Sequence, residues 1–331
     1  MKYSFIVPVY NRPDEVRELL ATFVRQPSQD YELLLIEDGS TSPCKEIADA
    51  YHAQLPTLRY YAKENGGPGQ ARNYGAERAT GEFLVFLDSD VLLPDGYIEA
   101  LGRAIAQTPT VDAFGAPDRA SDSFTPVQKA INYSMTSFFT TGGIRGGNKR
   151  MDKFYPRSYN MGVRRTIFVA LGGFAAMRFG EDIDLSIRIF AGDHTCLLFP
   201  DAWVYHKRRT DFRKFFRQVY NSGIARINLY KKYPASLKPV HLLPAAFTLG
   251  IALLLLGAFF TLYSPLLLFL YVLLLWIDAS WQTRDIRIGL ISVAAAFVQL
   301  TGYGLGFLSA WWKRCVLGQD EFTAFGQTFY K

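Results

Sequence analysis

Apolar and polar positions follow two alternating patterns along the first third of the chain. Short apolar runs typical of strands occur at residues 3–10, 31–40, 58–64, 82–90 and 111–116. Between them, apolar residues recur at helical spacing at 12–26, 42–55, 67–79 and 95–107. The pattern predicts the order β-α-β-α-β-α-β-α-β, and therefore an α/β fold with a parallel, doubly wound sheet.

Ligands of doubly wound sheets bind beyond the carboxyl ends of the strands. Asp38 and Asp88 fall at such ends, and Asp90 follows Asp88 after one serine. Alternate residues of an extended chain share a side, so the carboxylates of Asp88 and Asp90 can face one point. Oxygen ligands of this kind suit Mg²⁺ or Mn²⁺. The structural alternative for the pair is a turn or a helix cap.

The alternation weakens after Asp118. A helix is predicted around residues 127–139, followed by a glycine-rich, basic loop, Thr140–Lys153. This loop is either a solvated connector or a lid that closes over an anionic ligand. A further helix is predicted at Glu181–Ala191, with a short strand at residues 195–199.

A basic region follows at Lys207–Lys238, with ten Lys and Arg residues against one acidic residue, Asp211. Its apolar residues recur at helical spacing between Phe212 and Ile227. We therefore predict a basic amphipathic helix, segment 207–238, that lies on the anionic cytoplasmic leaflet of a membrane. A solvated helix packed on its own domain is the alternative.

Three apolar stretches come next, at His241–Tyr263, Pro265–Trp281 and Ile288–Trp312. A membrane span needs about 20 largely apolar residues, so the region 239–313 is predicted to hold two or three transmembrane helices, followed by a tail at 314–331. Three spans would place Lys313 and Arg314 outside, against the positive-inside tendency, whereas two would keep the tail with the first domain. The sequence leaves this choice open, and a soluble protein with an apolar helical domain is the alternative to both.

The overall composition, 49% apolar and 20% charged, is that of a globular protein and excludes a disordered chain. The first residues contain no apolar run of signal-peptide length, so we expect the N-terminal part to be cytoplasmic. Three widely spaced cysteines, Cys44, Cys196 and Cys315, are expected to be reduced. No nucleic acid partner is expected.

Five motifs occur in a fixed order along the chain: VPVYNR at 7–12, EDGS at 37–40, GGPGQARNYG at 66–75, DSD at 88–90 and GEDIDLSIR at 180–188. Together they resemble the family 2 glycosyltransferases, over roughly residues 3–230. The resemblance implies a GT-A fold with a mixed, Rossmann-like sheet, here in a catalytic domain at 1–206. It also implies a nucleotide-sugar donor and inverting transfer.

The resemblance assigns roles to individual residues. It implies nucleoside contacts for Pro8, Tyr10 and Asp38, contact with the base for Arg72, and contact with the ribose for Asp88. It places the metal ion, Mg²⁺ or Mn²⁺, on Asp90, and in some members a histidine completes that site, here His206. The general base would be Asp182. The structural alternatives are an Asx turn for Asp38, a structural histidine for His206 and a helix-capping role for Asp182. Further candidates that line the sugar or acceptor site, each with packing or helix capping as the alternative, are Asn160, Glu181 and Trp203.

These expectations combine into one functional hypothesis. The chain is predicted to transfer a sugar from a nucleoside diphosphate sugar to a lipid-linked or polysaccharide-precursor acceptor at the cytoplasmic leaflet. A UDP-sugar is favoured, and guanosine or thymidine diphosphate sugars are the alternatives. The QxxRW signature of processive synthases is absent from FFRQVYNSG at 215–223, so one sugar per cycle is expected. Two alternatives remain: transfer to a polyprenyl phosphate, which needs no general base, and a non-catalytic membrane component that binds nucleotide sugars.

Overall fold

The computed structural model describes residues 2–28, 30–119, 121, 124–141, 155–177, 179–207 and 209–320. They form two compact units. The sheet unit comprises residues up to 121 together with 155–206, and the helical unit comprises 124–141 together with 207–320. Most of the predicted loop Thr140–Lys153, with its possible role as a lid, lies outside the described residues, as does the predicted tail from residue 321.

The secondary structure follows the predicted alternation closely in the first hundred residues. The elements of the sheet unit and of the helical unit are, in chain order, β1 Tyr3–Val9, α1 Pro13–Val24, β2 Tyr31–Asp38, α2 Lys45–Tyr51, β3 Leu58–Lys63, α3 Pro68–Ala76, β4 Phe83–Leu87, β5 Val91–Leu92, α4 Tyr97–Gln107, β6 Ala113–Gly115, β7 Asp118–Arg119, α5 Pro126–Thr136, α6 Phe138–Thr141, β8 Asn160–Arg164, α7 Arg165–Ala170, α8 Glu181–Ala191, β9 Cys196–Leu198, β10 Val204–His206, α9 Phe212–Lys232, α10 Leu243–Gly257, α11 Tyr263–Thr283 and α12 Ile286–Trp311. A π-helical turn, Trp312–Val316, continues α12.

The main sheet has seven strands in the order β3-β2-β1-β4-β8-β6-β9. Neighbouring strands from β3 to β4 are parallel, but β8 runs antiparallel to both β4 and β6. The sheet is therefore mixed, as the family resemblance implied, and not wholly parallel as the alternation alone predicted. The reason is that β8 inserts between β4 and β6, and the run at 111–116 consequently does not pair with β4.

Both faces of this sheet are covered, which explains why its central strands are apolar throughout. All eight residues of β2 and all five of β4 are buried. Leu19 and Phe23 of α1 and Leu101 of α4 pack on one face. Leu185 and Ile189 of α8 pack on the other. Burial on two faces removes the polar alternation that a half-exposed strand would show.

A second, smaller sheet joins three short strands in the order β5-β10-β7. His206 of β10 is paired with Val91 of β5 in antiparallel register. Val204 of β10 is paired with Asp118 of β7 in parallel register. The small sheet therefore brings together three segments that are far apart in the sequence, and one of them directly follows Asp90.

The helical unit is organised around α12, which contacts α5, α9, α10 and α11. The packing against α9 is close because glycines line it: a Cβ atom at Gly306 would lie 2.0 Å from the Tyr220 carbonyl oxygen, and one at Gly223 would lie 2.2 Å from that of Tyr303. The predicted basic helix is thus present as α9, and it packs on α12. Three helical segments are long and apolar enough to cross a membrane, Pro239–Gly257, Tyr263–Thr283 and Ile286–Val316.

Candidate functional site

Three side chains converge beyond the carboxyl end of β4. The Nε2 atom of His206 lies 3.2 Å from Oδ1 of Asp90 and 3.9 Å from Oδ2 of Asp88. Each of the three residues offers one ligand atom, and these atoms all lie within 4.8 Å of one another. The structure thus brings together Asp88, Asp90 and His206, for which the family resemblance implied a ribose contact at Asp88 and metal contacts at the other two.

The small sheet holds His206 in this position. The His206 Nδ1 atom faces Oδ2 of Asp118 on the adjacent strand at 3.7 Å. Tyr159 donates a hydrogen bond to the other carboxylate oxygen of Asp118 at 3.1 Å, and its ring stacks on the imidazole with 4.8 Å between centroids. A carboxylate behind the outer nitrogen orients an imidazole so that its other nitrogen can bind a metal ion.

Two arginines neutralise the acidic cluster. Arg12 donates to Oδ2 of Asp90 at 2.6 Å, from the loop that follows β1. Arg72 of α3 donates to Oδ1 of Asp88 at 2.5 Å and to Oε1 of Glu181 at 3.3 Å. Arg72 is buried, so its charge acts in a medium of lower dielectric than water. It links the carboxyl end of β4 to the first turn of α8. The family resemblance implied a contact with the nucleotide base for this arginine.

The first turn of α8 carries Glu181 and Asp182 next to each other. The pKa of Glu181 is raised to about 7, first by burial and second by the charge of Asp182, while Arg72 acts in the opposite direction. One oxygen of Asp182 accepts a hydrogen bond from the Ile183 backbone N–H at 2.8 Å. The other lies 3.5 Å from Nη1 of Arg157. Glu181 is therefore more than a surface cap, because its carboxyl group is buried against Arg72.

Asp38 anchors the loop that leads into α3. Its Oδ1 atom accepts from Nζ of Lys63 at 2.8 Å and from the Gly66 N–H at 2.9 Å, and its Oδ2 atom accepts from the Gly67 N–H at 2.8 Å. Gly67 has φ of 86°, a left-handed conformation that glycine adopts without strain. Asp38 thereby sets the start of the helix that presents Arg72.

Pro8 and Tyr10 lie at the carboxyl end of β1, the strand next to β2 in the sheet. The side chain of Asn11 joins this end to the loop after β2, because its Oδ1 atom accepts from the backbone N–H groups of Thr41 and Ser42, both at 2.9 Å. The three predicted nucleoside residues, Pro8, Tyr10 and Asp38, therefore lie at the carboxyl ends of adjacent parallel strands.

The two remaining candidates are Asn160, which lies on β8 opposite Leu87 at the end of β4, and Trp203. Asn160 is fully buried, accepts a hydrogen bond from the Tyr97 hydroxyl at 2.7 Å and donates to the Ala202 carbonyl at 2.9 Å. This is the packing role that the sequence left open. Trp203 packs edge-on against Tyr205 at 4.8 Å, under the guanidinium of Arg119. Successive strand residues point to opposite sides, so Tyr205, on which Trp203 packs, points away from the side of His206.

The residues present fit a hard divalent cation. Two carboxylates and one imidazole, with ligand atoms that converge, form a donor set that suits Mn²⁺ or Mg²⁺. Arg12 and Arg72 pair with one oxygen each of Asp90 and Asp88, which leaves the other carboxylate oxygens facing His206.

Four residues of this site were not predicted individually: Arg12, Asp118, Arg157 and Tyr159. Arg12 is the last letter of the VPVYNR motif, and the motif could have identified it. Asp118 carries no local signal, because its role depends on strand pairing with β10. Tyr159 carries none either, because it acts by stacking on His206 and by donating to Asp118. Arg157 likewise reaches Asp182 only through the fold.

The model of the family described as Glycosyl transferase family 2 matches residues 4–183, more than half of the chain. The chain is 35% identical over 105 residues to Glycosyltransferase GlyG of Streptococcus pneumoniae, covering 31% of this chain and 35% of GlyG. It is 38% identical over 93 residues to the poly(ribitol-phosphate) beta-N-acetylglucosaminyltransferase TarS of Staphylococcus aureus, covering 27% of this chain and 16% of TarS. The chain thus spans about a third or less of the length of these curated relatives.

Solved structures show the same architecture. The mannosyltransferase PcManGT from Pyrobaculum calidifontis, in complex with GDP-Man and Mn²⁺, matches with a TM-score of 0.65 at 20% identity, covering 89% of this chain and 86% of that chain. Residues 1–349 of TarS in complex with UDP-GlcNAc match with a TM-score of 0.50 at 19% identity, covering 96% and 93%. At these identities the likeness shows the fold, which is of the GT-A type.

Proposed function

Because the chain belongs to glycosyl transferase family 2, we propose that it is a membrane-attached, metal-dependent, inverting glycosyltransferase that adds one sugar per cycle. The donor would be a nucleoside diphosphate sugar and the acceptor a lipid-linked or polysaccharide-precursor glycan at the cytoplasmic leaflet. One observation carries the proposal: buried Arg72 joins the Asp88–Asp90–His206 cluster to the first turn of α8, where Asp182 lies.

On the donor side, Asp88, Asp90 and His206 would hold Mn²⁺ or Mg²⁺. The bound metal ion would act as a Lewis acid that stabilises the leaving diphosphate. Asp88 would also accept a hydrogen bond from a ribose hydroxyl group of the donor. Arg12 and Arg72 would orient the two carboxylates and add positive charge around the diphosphate.

Nucleoside binding would fall to the carboxyl ends of β1 and β2. Pro8 and Tyr10 would contact the nucleoside, and Asp38 would contribute through the loop at Gly66 and Gly67 that it anchors. A UDP-sugar is favoured, because an aspartate can accept the imide N–H of uracil. The matched structures contain both possibilities, UDP-GlcNAc in TarS and GDP-Man in PcManGT.

On the acceptor side, Asp182 would remove the hydroxyl proton as the hydroxyl oxygen attacks the anomeric carbon. Such a positioned base contributes about 10² to 10⁴ in rate. Arg157 pairs with Asp182 at 3.5 Å, so the acceptor hydroxyl would have to displace this contact or share the carboxylate with it.

The same ion pair favours one alternative, transfer to a polyprenyl phosphate. A phosphate acceptor is already an anion and needs no base, and the guanidinium of Arg157 would attract it. Dependence of the rate on Asp182 therefore separates the two reactions.

The test uses the full chain in detergent, first with a panel of nucleotide sugars and Mn²⁺ in thermal shift, since a ligand that binds the folded state stabilises it. The donor found is then used for transfer and donor hydrolysis by Asp182→Asn. We expect donor affinity close to that of the parent and a rate lower by about 10² to 10⁴.

The matched control is Asp193→Asn. Asp193 lies just after α8 with φ of 55°, which asparagine also tolerates, so this exchange should leave both affinity and rate unchanged. A loss of donor affinity in Asp182→Asn would assign Asp182 to the donor site. An unchanged rate would favour the polyprenyl phosphate reaction. If the parent protein itself showed no turnover, the chain would be a non-catalytic component that binds nucleotide sugars.

A further inference from the structure

The three apolar helices of the helical unit differ in their surroundings. Of the most apolar stretch in each, 6% is buried within the protein for the α10 segment, 17% for α11 and 50% for α12. The three helices have similarly apolar compositions. Over the described residues, however, α10 and α11 expose apolar side chains along most of their length, whereas half of the α12 stretch is buried. The helices that cover α12 therefore determine whether α12 can also cross a bilayer.

Helix α9 runs beside the C-terminal half of α12 and in the same direction. A Cβ atom at Gly302 would lie 2.6 Å from Val219. Further along, Ile227 clusters with Phe307 and Ala310. The pair ends where Arg314 donates to Asn228 Oδ1 at 2.5 Å. Residues 219–228 of α9 thus track residues 302–314 of α12, so both helices have the same inclination to any membrane.

Helix α9 itself cannot pass through hydrocarbon. Its longest stretch without a charged residue is 218–225, between Arg217 and Arg226, which is about 12 Å of helix. A hydrocarbon core is about 30 Å thick. Each Arg or Lys placed near its centre costs about 2.5 to 3.5 kcal/mol on insertion scales. Because α12 follows α9, its C-terminal half is also excluded from a transmembrane path.

The hairpin of α10 and α11 has the opposite character. No Asp, Glu, Lys, Arg or His occurs between Leu242 and Ile277. The two segments have 19 and 21 residues, about 28 and 31 Å of helix, enough for one crossing each. Side chains of the connecting turn are among the most exposed apolar groups described, with exposed fractions of 85% for Phe259 and 88% for Phe260.

Basic residues lie just before the first helix of this hairpin and just after its second helix. Lys238 precedes α10, and Arg284 and Arg287 follow α11. With two crossings these residues, together with Lys313 and Arg314 at the end of α12, all fall on one face of the membrane. With three crossings Lys313 and Arg314 would fall on the other face, against the tendency of basic residues to stay cytoplasmic.

We infer that α10 and α11 are the two membrane crossings and that α12 remains at the membrane surface beneath α9, on the same side as the sheet unit. The partner of the exposed hairpin is then the hydrocarbon of both leaflets, and the basic ends meet anionic headgroups. This inference rests on the membrane attachment in the proposed function, and it specifies how the attachment is made.

The experiment measures sidedness with a membrane-impermeant maleimide on right-side-out and inverted vesicles from the expression host. Cys44 is buried, and Cys196→Ala removes the partly exposed thiol. Exposed Cys315 then reports the end of α12. In the background Cys196→Ala, Cys315→Ala, the substitution Thr261→Cys reports the hairpin turn and Glu77→Cys reports the sheet unit, where Glu77 is exposed and lies at the end of α3.

We expect Cys315 and the Glu77→Cys variant to react from one side and the Thr261→Cys variant from the other. Reaction of Cys315 on the same side as the Thr261→Cys variant would show three crossings and overturn the inference. Reaction of the Thr261→Cys variant on the side of the Glu77→Cys variant, or on neither side, would also overturn it, because the hairpin would then not cross.

The side of the sheet unit is measured directly and transfer is not needed, so these outcomes are independent of catalysis. A chain that carbonate washing removes from the vesicles would refute the crossings. A chain that stays inserted with the expected sidedness but transfers no sugar would refute the proposed function alone.

Discussion

The two sheets of the sheet unit contribute in different ways to the same site. The seven-stranded sheet is held by long registers and by cores on both faces, and it delivers Asp88 at the end of β4. The small sheet consists of strands of two or three residues, and it delivers His206 with Asp118 behind it. The large sheet therefore contributes most of the buried core, while the small sheet positions the proposed metal ligand His206.

The strongest test of this division is Asp90→Ala, at the junction of the two sheets. Transfer with Mn²⁺ should fall by about 10³-fold or more, since a bound metal ion contributes several kcal/mol to transition-state stabilisation. Melting without metal should change little. Asp95→Ala, in the next loop and paired only with exposed Arg25 among the ion pairs described, is the control. Parental turnover by Asp90→Ala would refute the metal assignment.

The first turn of α8 gives the next effect, which depends on pH. The pKa of Glu181 is raised from 4.5 to about 7 by burial and then by Asp182, so the folded state holds its proton more tightly than the unfolded state. Stability should therefore fall as pH rises from about 4.5 to 7.

Glu181→Gln removes this titration, so its free energy of unfolding should not fall with pH in this way. The difference in free energy of unfolding between Glu181→Gln and the parent should shift in favour of the variant by up to about 3 kcal/mol between pH 4 and pH 8. Melting temperatures across the pH range measure the effect, with exposed Glu77→Gln as the control. A constant difference between Glu181→Gln and parent at all pH values would contradict the raised pKa.

A methyl group in the large sheet should affect stability and leave the ligands alone. In Gly162→Ala the new Cβ would lie 2.0 Å from Cζ of Phe114 on the adjacent strand, and overpacking of this kind costs about 2 kcal/mol. Gly102→Ala in α4 is the matched control, because its Cβ would meet only the Tyr3 hydroxyl at 3.5 Å. Equal melting temperatures for the two variants would argue against a rigid β6–β8 contact.

The reverse result is expected for Asp118→Asn in the small sheet. The fold should persist, but Mn²⁺ affinity should fall by about tenfold, as for other residues that orient a metal-ligating histidine. Calorimetry or electron paramagnetic resonance of Mn²⁺ measures this without catalysis. Asp112→Asn is the control, because Asp112 faces His194 at 3.5 Å in a comparable pair away from the cluster. Equal Mn²⁺ affinities of the two variants would show that Asp118 does not support the proposed metal site.

The sequence predicted the large sheet far better than the small one. Strands β1 to β4 are buried on both faces and therefore appear as apolar runs, and α8 was predicted with the bounds that the structure has, Glu181–Ala191. Strand β8 was missed because Asn160, Gly162 and Arg164 alternate with its apolar residues instead of forming a continuous apolar run. The antiparallel order was missed with it. Periodicity cannot identify strands of two residues such as β5 and β7, whose existence depends on β10.

The same division applies to the site. Asp88, Asp90 and Asp182 lie in motifs that can be recognised locally, and His206 was identified through the family resemblance. Asp118 and Arg157 act across the fold, so only the structure relates them to His206 and Asp182. Asn160 stays a prediction for the ligand site, and the structure adds its hydrogen bonds to Tyr97 and Ala202, which the sequence could not have given.

The pairing of Val91 with His206 also has a consequence for folding. Joining segments so distant in the sequence requires closure of a long loop, and contacts of this kind slow folding because their entropy is lost before they stabilise the chain. The β1–β4 region closes shorter loops and can form earlier. The ligand cluster should therefore be completed late in folding, and the appearance of Mn²⁺ binding during refolding would report the final step in the assembly of the sheet unit.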